Sequence, residues 1–139
     1  MFKTTNGGET WSALSRGLPA GTVKALLIHP TLASILYAGT EKAGVFRSLD
    51  SGATWLPINT GLTDPDVRSL TFDPTNPAIL YAGTAHAGGI FKSLDHGNLW
   101  SLVGSPATGL DEPHAYAVVV DPVEPSVVYA GTEDRKSVV

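Results

Sequence analysis

Two sets of carboxylates in this chain could do chemistry. One recurs at fixed spacing. Asp50 sits in Ser48-x-Asp50-x-Gly52-x-Thr54-Trp55, and Asp95 in Ser93-x-Asp95-x-Gly97-x-x-Trp100. Asn6 takes the same place in Thr4-x-Asn6-x-Gly8-x-Thr10-Trp11. The other set does not recur: Asp64, Asp66, Asp111 and Glu112, with His86 and His114 near them in the pattern. Two carboxylates held about 5–9.5 Å apart can hydrolyse a glycosidic bond. Oxygen-rich loops can bind calcium, but that needs further carboxylates and a terminal Glu that these phrases lack. No His-x-x-x-His or His-Glu-x-x-His spacing supports zinc, and no Gly-x-Ser-x-Gly elbow supports a serine nucleophile. His86 and His114 stand on different repeats, so a metal pair is a weak reading. No cofactor motif is present, and no cofactor is expected.

Local chemistry assigns the recurring carboxylate to the backbone. Asp or Asn followed by a Gly can accept nearby N–H groups in an Asx-type turn. The Gly supplies the positive φ that such turns need. The Trp is an anchor able to bury its ring against a neighbouring sheet. These phrases are therefore expected to fasten structure.

The elements that position both sets follow from an internal repeat. Phe2, Phe46 and Phe91 are spaced 44 and 45, as are Trp11, Trp55 and Trp100. Gly-Leu at 17, 61 and 109 is spaced 44 and 48, and so is Tyr-Ala-Gly-Thr at 37, 81 and 129. His29-Pro30, Asp73-Pro74 and Asp121-Pro122 keep the same register. The extra residues fall in turns, one in 85–89 and three between Trp100 and Gly109. A period of about 40–50 residues with several strands per unit marks a β-propeller blade. One unit reads as strand A 67–73, B 79–84, C 89–93 and D 99–103, with Pro, Gly, Asn and Asp between them. Helix is not expected, because no stretch keeps a 3.6-residue period over three turns. The expected fold is all-β, made of four-stranded antiparallel propeller blades. A half blade 1–22, full blades 23–66 and 67–114, and a half blade 115–133 give about three blade equivalents.

The repeated phrases resemble the Asp-box, or BNR, pattern Ser/Thr-x-Asp-x-Gly-x-Thr-Trp. Leu99 replaces Thr in the third phrase, and Asn6 replaces Asp in the first. The chain thereby resembles the BNR/Asp-box β-propellers over residues 2–133. That superfamily includes sialidases, xyloglucan-degrading glycosidases, sortilin-type receptors and photosystem II assembly factors. The resemblance implies a fold and says little of function. It implies an extracellular or cell-envelope location by family habit alone. A sialidase of this kind needs three converging arginines. Only Arg16, Arg47 and Arg68 precede residue 134, and Arg47 aligns with Lys3 and Lys92 as a repeat feature. No Phe-Arg-Ile-Pro-like element is present.

In a propeller the loops sort by face. The Asp boxes and the Pro-rich A–B turns share one face. The D–A and B–C loops share the other, and there the repeats diverge. The candidate binding face therefore holds Lys24, Arg68 and Tyr116 at aligned positions entering strand A, with Asp64, Asp66, His86, Asp111, Glu112 and His114. Arg16, Glu41 and Lys42 lie in the same loops. Each also has a plain reading as a solvated loop or rim charge.

Composition narrows the partners. The 139 residues are 42% hydrophobic and 16% charged, with a net charge of −4. That argues against disorder and against a phosphate-backbone footprint, so no nucleic acid is expected. There are no cysteines, and no apolar run approaches the roughly 20 residues of a membrane span. The expected partners are the remaining blades of one propeller or another copy of the chain, with a protein or glycan ligand. Asp134–Val139 reads as the translation of a sequencing adaptor, and Met1 fills the slot of Val45 and Ile90. Residues 134–139 are thus expected to be a non-native tail. The chain is expected to be part of a larger, exported bacterial protein. Its expected role is a non-catalytic scaffold or interaction module. The alternative is a piece of a sialidase- or xyloglucanase-like glycoside hydrolase with catalytic residues partly elsewhere.

Overall fold

Strand formation follows the distribution of β-branched, aromatic and turn residues. The computed structural model describes residues 1–86 and 88–133, so the expected non-native tail 134–139 lies outside the described residues. The elements are β1 Phe2–Lys3, β2 Ser12–Ala13, β3 Val23–Ile28, β4 Leu36–Thr40, β5 Val45–Ser48 and β6 Leu56–Pro57. They continue with β7 Val67–Phe72, β8 Leu80–Thr84, β9 Ile90–Ser93, β10 Ser101–Gly104, β11 Ala115–Val120 and β12 Val128–Thr132. Runs rich in Val, Ile, Leu, Tyr and Phe become strands, and Pro-Gly-Asn clusters become the breaks. The one helical element described is a 3-10 turn, Pro106–Thr108. It is built from the three-residue insertion and packs against the end of β10, where the Thr108 hydroxyl donates to the Val103 carbonyl (3.3 Å).

Four antiparallel sheets result. Two are four-stranded meanders, β3-β4-β5-β6 and β7-β8-β9-β10, and two are pairs, β1-β2 and β11-β12. The four-stranded sheets are β-propeller blades. Their innermost strands β3, β7 and β11 are neighbours in space. The outer strand β6 is short and ends in Pro57, which blunts its edge against further pairing.

The core lies between sheets. Strand β8 is buried along its whole length because a sheet covers each of its faces. Tyr37, Val45, Ile58, Leu80, Phe91 and Trp100 fill the gap between the two full blades. Trp55 fills the preceding gap with Ala38 and Phe46. Tyr81, Ile90, Ala115, Val118 and Val120 fill the following one. The first two of these joints, each holding a Trp, use the same backbone clasp. The Trp55 N–H donates to the Arg16 carbonyl (2.9 Å), and the Trp100 N–H donates to the Thr60 carbonyl (2.8 Å). Gly61 follows at once, at φ +83°, and a Cβ there would collide with the Trp100 carbonyl. This explains the repeated Gly-Leu pair: it lets the next blade's Trp strand press against the loop.

Candidate functional site

Each recurring carboxylate is consumed within its own turn. The Ser48 hydroxyl donates to Asp50 Oδ1 (2.8 Å), and the Thr54 N–H donates to the same oxygen (2.8 Å). The Thr54 hydroxyl donates to Asp50 Oδ2 (2.5 Å). These donors hold the Asp50 carboxyl at about 2, below the usual carboxylate range. In the third phrase, Asp95 accepts from the Leu99 N–H (2.9 Å) and the Ser93 hydroxyl (2.8 Å), which likewise hold its carboxyl low. In the first, Asn6 Oδ1 accepts from the Thr10 N–H (3.0 Å) and the Thr4 hydroxyl (2.9 Å). Gly8, Gly52 and Gly97 all have positive φ. Trp55 and Trp100 are buried, while Trp11 is exposed.

The Pro-rich turns on the same face close in a similar way. Asp73 Oδ1 accepts from the Thr75 N–H (2.8 Å) and the Asn76 N–H (3.2 Å). Burial pushes the Asp73 carboxyl up, but these bonds, the Thr75 hydroxyl and Lys92 together hold it below its ordinary value. Asp121 is held low by the N–H groups of Glu124 and Val123. His29 fills the Asp slot in its repeat, and its Nδ1 accepts from the Leu32 N–H (3.2 Å).

The opposite face is assembled differently. Strands β3, β7 and β11 each break register once, between Val23 and Ala25, Val67 and Ser69, and Ala115 and Ala117. The residues at these bulges are Lys24, Arg68 and Tyr116. A bulge re-aims the side chain it carries. Here the three bulged side chains form a row across three successive sheets. Lys24 Nζ lies 3.9 Å from Glu41, and Glu41 lies 3.9 Å from Arg68. The Arg68 guanidinium lies over the Tyr116 ring at 5.8 Å. The Tyr116 hydroxyl donates to Glu133 (3.1 Å). Cation, anion, cation, aromatic and anion thus alternate around the mouth of the inner strands.

Below this row sit two buried carboxylates. Arg68 Nη2 donates to Asp66 Oδ2 (2.7 Å), and Arg68 Nε lies 2.6 Å from Asp66 Oδ1 as an ion-pair contact without hydrogen-bond geometry. The hydrogen bond to Asp66 is the main cause that raises the Arg68 pKa further. His86 Nδ1 is 3.1 Å from Asp66 and 3.9 Å from Asp64. Asp64 accepts from three backbone N–H groups: Asp66 (3.0 Å), His86 (2.8 Å) and Gly88 (3.2 Å). It therefore pins the B–C loop of its blade to the D–A loop.

The sequence-derived candidates divide accordingly. Lys24, Arg68, Tyr116, Asp64, Asp66 and His86 form one connected constellation. Asp111 is exposed and Glu112 half-buried in their loop. His114 occupies the slot of Asp66, and its Nδ1 is buried without a hydrogen-bond partner. The Arg16 carbonyl belongs to the Trp55 joint. Lys42 borders a small hollow of about 20 Å³ beside Pro19 and Ala20. Sequence reasoning missed Asn59, which receives the Val45 N–H (2.7 Å) and donates to the Ala43 carbonyl (2.9 Å), fixing the first B–C loop. It also missed Glu133 as the counterpart of Glu41, although both directly follow Tyr-Ala-Gly-Thr. Among the described residues no group of three or more His, Cys, Asp or Glu is placed to hold a metal ion. Among them too, no helix is long and apolar enough to cross a membrane.

No family model matches the chain, and no curated protein matches it. Among solved structures it is similar to an ancestral GH74 enzyme, with a TM-score of 0.74 and 22% identity. That likeness covers 94% of this chain and 18% of the other. It is also similar to the GH74 enzyme of Niastella koreensis, with a TM-score of 0.71 and 22% identity. There the coverage is 96% of this chain and 22% of the other. The chain thus spans about a fifth of the length of each solved structure. At this identity the likeness is one of fold, and the fold is that of β-propeller blades.

Proposed function

We propose that this chain is a non-catalytic scaffold and interaction module of a β-propeller, recognising a polar ligand through its D–A/B–C face. Half blades 1–22 and 115–133 flank full blades 23–66 and 67–114 in this reading. One observation carries it. Asp64 and Asp66, the carboxylates on that face best placed by sequence for acid–base work, are buried and held by neighbouring groups. Asp64 holds backbone N–H groups, and Asp66 is paired with Arg68 and His86. A general acid or base needs a proton to give or a free lone pair to take one. What the face offers outward instead is the row Lys24–Glu41–Arg68–Tyr116, with charges of both signs and an aromatic ring. Such a surface suits hydrogen-bonded, water-bordered recognition of a glycan or a protein segment.

A glycan array and a bait-protein panel read with the purified chain test this directly. Tyr116→Ala and Lys24→Ala are expected to weaken any ligand captured by about tenfold each, the cost of one good contact. Binding unaffected by both changes would place recognition on another face.

A second reading draws on the two solved structures being GH74 enzymes. In it the chain forms one wall of a propeller glycoside hydrolase, xyloglucanase-like, and other segments supply part of the catalytic pair. Glu41, half-buried beside Lys24 and Arg68, is the carboxylate this reading would use. Hydrolysis of a glycan that Glu41→Gln abolishes while binding survives would favour it.

A further inference from the structure

We infer that the cleft between the two four-stranded blades, on the face of the Asp boxes, binds a small monocarboxylate: Arg47 and the Nε2–H of His29 take the carboxylate, and an apolar wall takes its body. Its walls come from both blades, with His29, Tyr37 and Arg47 from the first and His96 from the second. The cleft has a volume of about 310 Å³. Ligand pockets usually span about 300–1,000 Å³.

His29 is the residue that repetition does not explain. Asp73 and Asp121 fill its slot in the other repeats, and each spends its carboxylate on backbone N–H groups. His29 does that work with one nitrogen: Nδ1 accepts from the N–H groups of Thr31 (3.3 Å) and Leu32 (3.2 Å). The neutral ring then carries its proton on Nε2. That nitrogen is a donor left over from fastening, and with its proton on it offers no lone pair to a metal. The ring is buried, edge-on to Phe72 (5.8 Å) and stacked on His96 (6.3 Å), so the donor is fixed in place.

The neighbouring polar groups are donors too. Tyr37 and Arg47 are partners across β4 and β5. Arg47 Nη1 donates to the His96 carbonyl of the next blade (3.1 Å), which lays the guanidinium across the cleft with further N–H groups to give. The Tyr37 hydroxyl is buried without a hydrogen-bond partner among the described residues. A buried polar group in that state calls for a partner. Burial raises its pKa, and the Arg47 charge beside it offsets part of the rise, so near neutral pH the hydroxyl keeps a proton to donate. Among the described residues no Asp or Glu lines the cleft. Arg47 brings the permanent charge, which matches a singly charged head group. Leu32, Ile35 and Leu49 suit an alkyl body better than a bare inorganic ion. The next joint has no such set: Lys92 replaces Arg47 and lies over the Tyr81 ring (5.2 Å), and Asp73 replaces His29. This site stands whatever the D–A/B–C face binds.

Titration calorimetry of the purified chain near neutral pH, with hexanoate, hexanamide and inorganic phosphate, tests this. The expected result is saturable binding of hexanoate, about tenfold tighter or more than either of the others, the size of one charge-assisted hydrogen bond. His29→Asp restores the residue of the other two repeats. Its melting temperature should stay near that of the unmodified chain while hexanoate affinity falls about tenfold or more. Tyr37→Phe forfeits no bond in the empty chain, so it should melt no lower, yet bind hexanoate several-fold more weakly. Side chains that serve stability alone would give the reverse, lower melting temperatures with binding unmoved. Absence of saturable hexanoate binding overturns the inference. So does hexanamide or phosphate binding as tightly, or a hexanoate affinity that His29→Asp leaves unchanged. If His29→Asp fails to fold, Arg47→Gln decides by the same loss of about tenfold.

Discussion

The Asp-box carboxylates behave as internal acceptors, and their protonation should unfasten the turns. Asp50 titrates at about 2 in the folded chain, below its ordinary 3.8, and Asp95, Asp73 and Asp121 are also lowered. A carboxyl lowered by folding contributes stability that is complete above its unfolded value. That contribution is lost as the pH falls toward the folded one. Thermal melts between pH 5 and 2 should therefore show Tm falling steeply below pH 4, and a flat profile there would contradict the assignment. Asn6 shows that an amide can make the same bonds. Asp50→Asn should accordingly lower Tm less than Asp50→Ala and should flatten the acid limb, measured on the same melts. Arg68→Ala leaves Asp66 buried without its guanidinium partner and should cost about 3 kcal/mol in urea unfolding. The box chemistry was legible in the sequence because donors and acceptors lie within eight residues. The Asp64 clasp was not legible, since its acceptor bonds reach 22 and 24 residues ahead. Neither was the role of His29, an imidazole nitrogen standing where the other repeats place Asp.

At the scale of elements, the blades depend on turns that hold two consecutive residues at positive φ. Gly7 and Gly8 do this at φ 70° and 99°. Ser51 and His96 do it as non-glycine residues at φ 61°, which costs side-chain-bearing residues energy. Ser51→Gly should therefore stabilise the chain, by about 0.5 kcal/mol once the greater freedom of the unfolded glycine is counted. A denaturant midpoint that moves down would refute this strain. Trp100 ties two blades together, with its indole N–H donating to the Ile58 carbonyl (2.8 Å). Trp100→Ala should cost about 3–5 kcal/mol, enough to unfold much of the population at ambient temperature. Strand number, order and bounds were readable from the repeat to within two residues. The bulges at Lys24, Arg68 and Tyr116 were not. A bulge is a disagreement between two strands, and one strand's sequence does not display its partner's register. The sequence could still place those three residues in one column, and that alignment is what made them candidates.

Taken whole, the molecule separates a repeating face that fastens blades from a diverging face to which we assign recognition. One face repeats, because every blade must be closed by the same turn. The other diverges, and its divergent residues converge in space into the alternating row above Asp64 and Asp66. The candidate site was thus half legible: its members were named by column and loop, but their links through Glu41 and Glu133 arise only when neighbouring blades stand side by side. The central claim is that this face recognises without catalysing. The measurement that tests it most directly is a glycan-binding isotherm run beside a reducing-end assay, on the same samples of unmodified chain and of Asp66→Asn. The account predicts saturable capture of a ligand with no release of reducing ends by either protein. Steady release by the unmodified chain, abolished in Asp66→Asn while that variant stays folded, would contradict it.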